Sequence, residues 1–421
     1  MEDWLAYIDT LYSREIDLGL SRIIALAEKL SLRNFSCPVI TVAGTNGKGS
    51  VIKFLESIYL TAGYRVAAYT SPHLLQFNER LRINGNAVAN EVLVSAFSFI
   101  EKNRDNQPLS FFEFTTLAIF YICKKQPLDI LLLEIGLGGR LDAVNIVEPS
   151  VAVISNIDID HTDWLGKDRE SIGREKAGII RWHKLIVCGD PKPPQSVYET
   201  AKKLEAPFFQ FEIDFFAKVD DGMWKWQGPE TFFEKLPLPD LKIQNAATSL
   251  MALHCLQRCL PLSLDAIRDG INKATLPGRF ECVQIPVSII FDVAHNPQAT
   301  RYLAEKLQKT KHAGQTLAVV GILQDKDIKG IFESMLSCVD QWYIGGLQEE
   351  ARGATGESLM EVLVEYRGVD SVKTCYNFVS VTEAFKRALN NCRLQDRIVV
   401  FGSFHTVGIV KQYLSSIHQR K

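Results

Sequence analysis

The stretch Gly44-Thr45-Asn46-Gly47-Lys48-Gly49-Ser50 decides the fold of the chain. It follows the β-branched run 38–43, which predicts a buried strand, and precedes a helical pattern over 50–62. Glycines let backbone N–H groups close around phosphate oxygens, and a helix start adds a partial positive charge. The stretch therefore indicates a phosphate-binding loop. Val42 and Gly49 depart from the general P-loop pattern, and a plain glycine turn is the alternative.

Short apolar runs alternate with longer amphipathic segments along the rest of the chain. Further strands are predicted at 64–69, 128–134, 151–156, 287–291, 316–322, 341–344 and 397–401. Strands alternating with helices are typical of α/β proteins with parallel sheets. We therefore expect a P-loop ATPase-like domain with a mostly parallel sheet over 1–281, and a smaller, Rossmann-like α/β domain over 287–421.

The composition is that of an ordinary globular protein. Of the 421 residues, 47% are hydrophobic and 23% are charged, a balance that excludes dominant disorder. The 47 Lys and Arg residues against 49 Asp and Glu residues give a net charge of −2, which provides no general attraction for nucleic acid or anionic lipid. Any anionic ligand must be held by local groups.

The termini and the cysteines favour a cytoplasmic location. Residues 1–4 lack the basic and apolar regions of a signal peptide, and no apolar run approaches the ~20 residues that span a bilayer. The nine cysteines are scattered, with Cys255 and Cys259 the nearest pair. This pattern predicts free thiols in a reducing cytosol rather than zinc sites.

Polar residues of the types that bind metals or anions lie at the ends of several predicted strands of the first domain. Glu134 ends an apolar strand, and a carboxylate beside a phosphate loop is a typical Mg²⁺ ligand, although an acid capping the strand is the alternative. His161 lies among acids and can ligate a metal or orient phosphate, although a lone loop histidine is often structural. Ser71 can reach a metal and Arg80 an anion, or the segment is a simple Ser-Pro turn.

Other motifs are weaker when judged from spacing alone. The stretch 173–179, which contains Lys176, is typical of a solvated, charged helical turn. In the second domain Asp292 follows a strand, on the usual ligand side of an open α/β sheet, where it holds a ribose or adenine or caps a helix. The stretch 402–405 occupies the equivalent place after the last strand.

Together these motifs resemble the folylpolyglutamate synthase family, a branch of the Mur-ligase superfamily. The motifs that carry the resemblance span nearly the whole chain, at 16–20, 44–50, 71–74, 111–114, 134–145, 160–178, 245–247, 277–280, 292–297, 321–327 and 402–407. The resemblance is greatest to the bifunctional bacterial members. It implies a role in folate biosynthesis and one-carbon metabolism, in which L-glutamate is joined to dihydropteroate, forming dihydrofolate, and to the γ-carboxylate of reduced folates.

The resemblance implies an ATP and metal site at matching positions. The residues that would bind ATP are Gly44, Thr45, Asn46, Gly47, Lys48, Gly49, Ser50, Asn245, Arg279 and Asp292. Two Mg²⁺ ions are implied, one on Ser71 and Glu134 and one on His161, and a monovalent cation such as K⁺ is a further candidate. Lys48, His161 and Lys176 would be catalytic. Lys176 resembles a lysine that carries a carbamate, which turns a cation into an anionic metal ligand.

The resemblance also implies the substrate-binding residues. The pterin would lie against Asp17, Leu18, Gly19, Leu20, Phe112, Glu113, Phe114, Leu141, Asp142 and Ala143. Glutamate would enter from the face of the second domain, near His295 and Ser403. The implied partners are small molecules, namely ATP, dihydropteroate, reduced folates and L-glutamate, and the family resemblance suggests a monomer.

The chemistry agrees with this resemblance. An amide does not form readily from a carboxylate and an ammonium ion, so the carboxylate first needs a leaving group. ATP supplies one as an acyl phosphate, which the α-amine of glutamate then displaces, releasing ADP and phosphate. The reaction gathers negative charge, which Mg²⁺ and Lys48 would stabilise.

Three alternative functions remain open at this point. A monofunctional folylpolyglutamate synthase would differ only in the pterin pocket. A Mur-type ligase of cell-wall precursors would need a UDP-sugar-binding domain ahead of the loop, where 43 residues precede Gly44. A nucleotide-binding switch without ligase turnover would leave Glu134, His161 and Lys176 without a role.

Overall fold

The computed structural model describes residues 1–12, 19–310, 312–350, 352–367 and 374–418. The chain forms two compact units, Met1–Thr275 and Leu276–Lys421. Two residues that the resemblance assigned to the pterin site, Asp17 and Leu18, lie outside the described residues.

One large sheet forms the centre of the first unit. Its strands are β1 (Val39–Ala43), β2 (Val66–Tyr69), β3 (Leu81–Ile83), β4 (Asn86–Ala87), β5 (Ile130–Glu134), β6 (Val151–Ile154), β7 (Leu185–Cys188) and β8 (Phe208–Gln210). They lie in the order β4-β3-β2-β5-β1-β6-β7-β8. The pairs from β2 to β8 are parallel, and β3 and β4 add an antiparallel edge. Because β1 lies between β5 and β6, all of its residues are buried.

Helices and a small second sheet complete the first unit. The helices are α1 (Glu2–Thr10), α2 (Ser21–Lys29), α3 (Lys48–Thr61), α4 (Asn90–Asn103), α5 (Phe111–Lys124), α6 (Thr162–Leu165), α7 (Arg169–Ala177), α8 (Gln195–Lys203), α9 (Ile243–Cys255) and α10 (Leu264–Lys273), with 3-10 turns at Phe77–Arg80 and Ala143–Ile146. The antiparallel strands β9 (Phe216–Asp220), β10 (Met223–Gly228) and β11 (Thr231–Pro237) form the small sheet. Trp224 and Trp226 on β10 are fully buried and anchor it.

Helix α3 begins at Lys48, two residues before the helical pattern that the sequence predicted. Gly47 caps the helix with φ 85, a left-handed conformation that a glycine adopts at little cost. The apolar periodicity that marks a helix starts only where side chains face the core, so the sequence pattern misses the first polar turn. That first turn carries the lysine of the loop.

The second unit is a smaller α/β domain. Its strands are β12 (Glu281–Ile285), β13 (Val287–Phe291), β14 (Thr316–Val320), β15 (Gln341–Gly345), β16 (Cys375–Phe378) and β17 (Arg397–Phe401), in the order β12-β13-β17-β14-β15-β16. Its helices are α11 (Pro297–Lys309), α12 (Ile328–Met335), α13 (Gly356–Arg367), α14 (Val381–Asn391) and α15 (Phe404–His418), with a 3-10 turn at Leu336–Cys338. The strands from β13 to β16 pair in parallel.

Strand β12 pairs antiparallel with β13, so the second sheet begins at Glu281, ahead of the domain start expected at 287. Pro286 lies in the tight turn between the two strands. The predicted α/β fold class, with a mostly parallel sheet followed by a smaller α/β sheet, is confirmed. Within the ranges that the structure describes, no helix is both long enough and apolar enough to cross a membrane.

Candidate active site

The Gly44–Ser50 loop leads from the carboxyl end of β1 into α3. Thr45 N donates to Asn156 O at 2.9 Å, and Asn46 N donates to Asn156 Oδ1 at 2.8 Å. These two loop amides are therefore engaged with the segment that follows β6. The N–H groups suited to an anion are those in the first turn of α3, which have no acceptor within the helix.

Lys48 and Asn245 both lie against this loop. Lys48 Nζ donates to Gly44 O at 3.0 Å and to Thr45 O at 3.5 Å. A Cβ atom added to Gly47 would lie 2.7 Å from Asn245 Oδ1, so the Asn245 side chain on α9 covers the start of α3. The structure thus brings together the residues of the first unit that the sequence assigned to the nucleotide.

Ser71 and Glu134 meet because β2 and β5 are parallel neighbours. Tyr69 on β2 is in register with Leu133 on β5, so the residues that follow these strands emerge at the same edge of the sheet. Ser71 N donates to Glu134 Oε2 at 3.2 Å, and Glu134 is buried. A hydroxyl-bearing residue and a carboxylate are therefore adjacent at the edge that also carries the Gly44–Ser50 loop.

Lys176 is buried, unlike the solvated turn that its spacing alone predicts. Burial, followed by repulsion from Lys48, lowers the pKa of Lys176 to about 7, against the opposing attraction of Asp160 and Asp142. Its helix α7 packs directly on the backbone at Gly139, where an added Cβ would lie 3.0 Å from Lys176 Cα. The lysine amine is therefore shielded from water, with the positive charge of Lys48 and the negative charges of Asp160 and Asp142 around it.

Asp142 and Phe112 converge at Gly136. A Cβ atom on Gly136 would lie 2.8 Å from Phe112 Cζ and 3.3 Å from Asp142 Oδ2. The Asp142 carboxylate accepts N–H groups from Leu137 at 2.8 Å and Val144 at 2.9 Å. Burial raises the pKa of Asp142 to about 6, and these two hydrogen bonds oppose the rise.

Of the three residues in the segment 112–114, only one lies beside Gly136. Phe112 stacks with Tyr69, with ring centroids 6.3 Å apart. Glu113 is buried and completes a capping box with Ser110 at the start of α5. Phe114 is fully buried in the hydrophobic core. The rotation of α5 therefore places Phe112 beside Gly136, while Glu113 caps the helix and Phe114 packs in the core.

The other residues assigned to the pterin are less closely grouped. Ala143 is buried directly after Asp142, and Leu141 before it is half-buried. Gly19 and Leu20 are half-buried and lead into α2. The Asp142 turn is thus the part of the assigned pterin segment that the structure brings to the Phe112 ring.

His161 directly precedes α6 and is its N-cap residue, in a left-handed conformation with φ 52. Its N–H donates to Asp160 Oδ1 at 2.8 Å, and its Nε2 lies 4.0 Å from Asp160 Oδ2. Asp160 also attracts the charge of Lys176. The structure therefore gives His161 and Lys176 a shared acidic neighbour.

In the second unit Arg279, Asp292, His295 and Phe404 gather near the carboxyl ends of β13 and β17. The Phe404 ring centroid lies 5.2 Å from Arg279 Cζ and 6.1 Å from the centroid of the His295 ring. Asp292 accepts two backbone N–H groups at 2.9 Å. Burial raises its pKa, and the positive charge of Arg279 opposes this rise.

Sequence reasoning assigned no role to Tyr69, Asp160 or Phe404, although each adjoins a residue that it did single out. Ser403, which it assigned to glutamate, is buried, and its Oγ accepts the Thr406 N–H at 2.9 Å at the start of α15. Phe404 is therefore the residue of that motif that contacts Arg279 and His295. The signal that points to it is its position directly after the strand and the buried serine.

Two family models match the chain. The Mur ligase middle domain matches residues 42–223, and the Mur ligase, glutamate ligase domain matches residues 278–404. The chain is 42% identical to the dihydrofolate synthase/folylpolyglutamate synthase of Escherichia coli K12, over 99% of this chain and 96% of the relative. It is 40% identical to the protein of the same name from Haemophilus influenzae, over 97% of this chain and 96% of the relative.

Solved structures give the same result. E. coli FolC in complex with DHPP and ADP has a TM-score of 0.94 at 42% identity, covering 99% of this chain and 98% of that chain. A bifunctional folylpolyglutamate synthase/dihydrofolate synthase with Mn, AMPPNP and L-glutamate bound has a TM-score of 0.91 at 43% identity, covering 98% of both chains.

Proposed function

The chain belongs to the dihydrofolate synthase/folylpolyglutamate synthase family of Mur ligases, and from this premise we propose how its residues perform the reaction. It is an ATP-dependent carboxylate–amine ligase. It adds L-glutamate to dihydropteroate, forming dihydrofolate, and to the γ-carboxylate of reduced folates, forming folylpolyglutamates. The E. coli and H. influenzae relatives, at 42% and 40% identity over nearly the full length, carry both activities in their names, so the bifunctional enzyme fits better than a monofunctional synthase.

The observation that carries this function is the set of groups at one edge of the first sheet. The Gly44–Ser50 loop, the contact between Ser71 and Glu134, and the buried amine of Lys176 all lie where parallel strands end. Open α/β sheets bind ligands at this edge. A phosphate loop beside a carboxylate is the arrangement that phosphoryl transfer needs.

Lys48 acts on the phosphates of ATP. Its amine now donates to Gly44 O and Thr45 O, weak neutral acceptors that a phosphate oxygen can replace. The charge of Lys48 then lies where negative charge develops as the carboxylate becomes an acyl phosphate. Asn245, covering Gly47, and Arg279 and Asp292 in the second unit are the proposed further nucleotide contacts.

The donor set suits a divalent cation that ATP helps to bind. In the part of the chain that the structure describes, no three His, Cys, Asp or Glu side chains form a metal-binding group. Mg²⁺ typically takes one or two protein ligands and completes its shell with phosphate oxygens and water. Ser71 and Glu134 would hold one ion and His161 a second. When bound, Mg²⁺ neutralises charge on the transferring phosphate.

Lys176 is suited to form a carbamate. A carbamate forms when a neutral amine attacks carbon dioxide and releases a proton, so the amine must be uncharged. With a pKa of about 7, an appreciable fraction of Lys176 is neutral at physiological pH, whereas an ordinary lysine is almost fully charged. The product is an anion facing Lys48, which replaces a repulsive contact with an attractive one. A monovalent cation such as K⁺ is a further proposed ligand of this enzyme.

The pterin is proposed to lie at Gly136, between the Phe112 ring and the Asp142 carboxylate. An aromatic face stacks on a flat heterocycle, and a carboxylate accepts N–H groups from its edge. Arg80 offers a partly exposed cation nearby, with Nε donating to His73 Nδ1 at 3.0 Å. It is therefore suited to the anionic end of the substrate. Glutamate is assigned to the second unit, near His295 and Phe404.

Residues 1–281 are proposed as the ATP and pterin domain, and 287–421 as the glutamate-ligase domain. The enzyme is proposed to work as a cytoplasmic monomer on small molecules.

The test of this function is product formation. The purified chain is incubated with Mg²⁺-ATP, L-glutamate and dihydropteroate, and dihydrofolate is measured by mass spectrometry, with glutamate omitted as the control. We expect dihydrofolate only in the complete mixture. ATP hydrolysis without amide formation in that mixture would contradict the proposal.

A further inference from the structure

We propose that Arg169 and Asp190 are positioning residues that hold the loop carrying His161, so that their loss weakens binding of the divalent cation that accompanies ATP. The inference rests on the proposed function, because it takes His161 as a ligand of that cation. Neither residue belongs to the site as described above. Both form hydrogen bonds with the backbone of Ile157, four residues before His161.

Asp190 and Arg169 bind the two backbone polar groups of Ile157. Asp190 Oδ2 accepts the Ile157 N–H at 2.9 Å, and Arg169 Nε donates to Ile157 O at 3.0 Å. Arg169 Nη2 also donates to Asp190 Oδ2 at 2.9 Å, which closes the group. One planar guanidinium therefore joins a carbonyl and a carboxylate in a fixed geometry, which a lysine cannot reproduce.

The residues on either side of Ile157 are held by the phosphate loop instead. Asn156 accepts N–H groups from Thr45 and Asn46. The Thr45 hydroxyl donates to Asp158 O at 2.9 Å and accepts the Asp158 N–H at 3.0 Å. The segment is thus tied on one side to the phosphate loop and on the other side to the Arg169–Asp190 pair.

The pair also joins the two elements that carry the remaining site residues. Arg169 is the first residue of α7, the helix that carries Lys176, and Asp190 follows β7. Asp190 Oδ1 additionally accepts the Lys192 N–H at 2.9 Å, and the carboxylate is buried. This ion pair therefore joins the start of the His161 loop to α7 and to the segment after β7.

His161 needs such support because its backbone is left-handed, a conformation that residues with a Cβ atom avoid. Without Arg169, the carbonyl of the buried Ile157 loses its side-chain donor, and the buried Asp190 carboxylate keeps only the N–H groups of Ile157 and Lys192. Buried polar groups without partners are costly, so the segment would shift to reach water. Residues that orient metal ligands from behind typically contribute about 10- to 100-fold to metal affinity.

The experiment measures Mn²⁺ binding directly, by electron paramagnetic resonance, with AMPPNP present and no turnover. We expect Arg169→Ala to raise the Kd for Mn²⁺ by about 10- to 100-fold. Arg169→Lys keeps the positive charge but loses the planar guanidinium and its several N–H donors. Its Kd for Mn²⁺ should therefore fall between that of Arg169→Ala and that of the unaltered chain. Asp190→Asn keeps the shape and an acceptor for Ile157 N–H, and it should also weaken Mn²⁺ binding.

The matched control is Arg104→Ala. Arg104 also forms a two-point ion pair, with Glu101 at 2.6 and 2.9 Å, and also holds a backbone carbonyl, that of Gln107 at 2.9 Å. It lies directly after α4, and the described hydrogen bonds of its side chain go to Tyr7, Glu101 and Gln107, none of which is assigned to the nucleotide or the metal. Its loss should lower thermal stability without changing the Kd for Mn²⁺.

The possible results distinguish a failure of the positioning role from a failure of the proposed metal site. Weaker Mn²⁺ binding in the Arg169 and Asp190 variants, with no change in Arg104→Ala, supports the positioning role. Unchanged Mn²⁺ binding in folded Arg169→Lys and Asp190→Asn overturns it, and so does an equal loss in Arg104→Ala. If the unaltered chain binds no Mn²⁺ with AMPPNP, the proposed metal site itself fails and the inference falls with it.

Discussion

The replacement of Gly47 by alanine tests whether the start of α3 and Asn245 act together on ATP. Gly47 has φ 85, and a left-handed conformation costs a residue with a Cβ about 1–2 kcal/mol. Alanine also lowers the conformational entropy of the unfolded chain, which offsets about 0.4–1 kcal/mol of that cost. The free energy of unfolding should therefore fall by roughly 1 kcal/mol.

The effect on ATP comes from the contact with Asn245. The new Cβ would lie 2.7–2.8 Å from the amide atoms of Asn245, so that side chain must move. Loss of one hydrogen bond contributes about 0.5–1.5 kcal/mol, which corresponds to a rise in the KM for ATP of between about twofold and about tenfold.

Gly63→Ala is the matched control, at the opposite end of the same helix. Gly63 has φ 87, but a Cβ there would meet no atom within 4 Å. The two variants should therefore show similar shifts of Tm, and only Gly47→Ala should raise the KM for ATP, as measured by ADP release. Equal KM values for the two variants would refute the role assigned to Asn245.

Three further changes follow from the same geometry. Glu134→Ala should remain folded by circular dichroism yet lose ADP release at every Mg²⁺ concentration, and near-normal turnover would remove Glu134 from the metal site. Lys48→Ala should reduce kcat about a hundredfold, since a charged donor at the reacting phosphate contributes roughly 3 kcal/mol. Lys176→Met should stabilise the chain in bicarbonate-free buffer, most at or below pH 7 and progressively less towards pH 10, as followed by Tm. The pKa of Lys176 is about 7 in the folded chain and 10.5 ordinarily, so the unfolded chain binds more protons between these pH values. The stability of the unaltered chain therefore rises with pH over this range, and the gain from Lys176→Met shrinks. A Tm gain that is independent of pH would contradict this prediction.

The centre of the fold could be predicted because local and long-range signals agree there. An apolar run, a glycine loop and a helical pattern in succession have few other solutions. This prediction needs only the direction of the chain, not the packing of its side chains. The pairing of Ser71 with Glu134 came from the family resemblance, and the fold agrees with it, since Ser71 comes after β2, Glu134 ends β5, and the two strands are parallel neighbours.

Features that depend on packing could not be predicted. Helix α5 is apolar almost all round, so its sequence does not say that Phe112 faces the site while Phe114 enters the core. The charged sequence around Lys176 indicates exposure, and its burial follows from the close approach of Gly139, a contact between distant segments. Arg169 and Asp190 are ordinary polar residues until the fold brings both to Ile157.

The proposed bifunctional activity requires one site that ligates glutamate to two different carboxylates. Its most direct test is glutamate-dependent ADP release with Mg²⁺-ATP, run with dihydropteroate, with a reduced folate, and with both together. We expect turnover with each substrate alone and competitive inhibition of one by the other, because both are proposed to bind in the pocket at Phe112 and Asp142. Additive rates with both present, or turnover with the reduced folate alone, would contradict it.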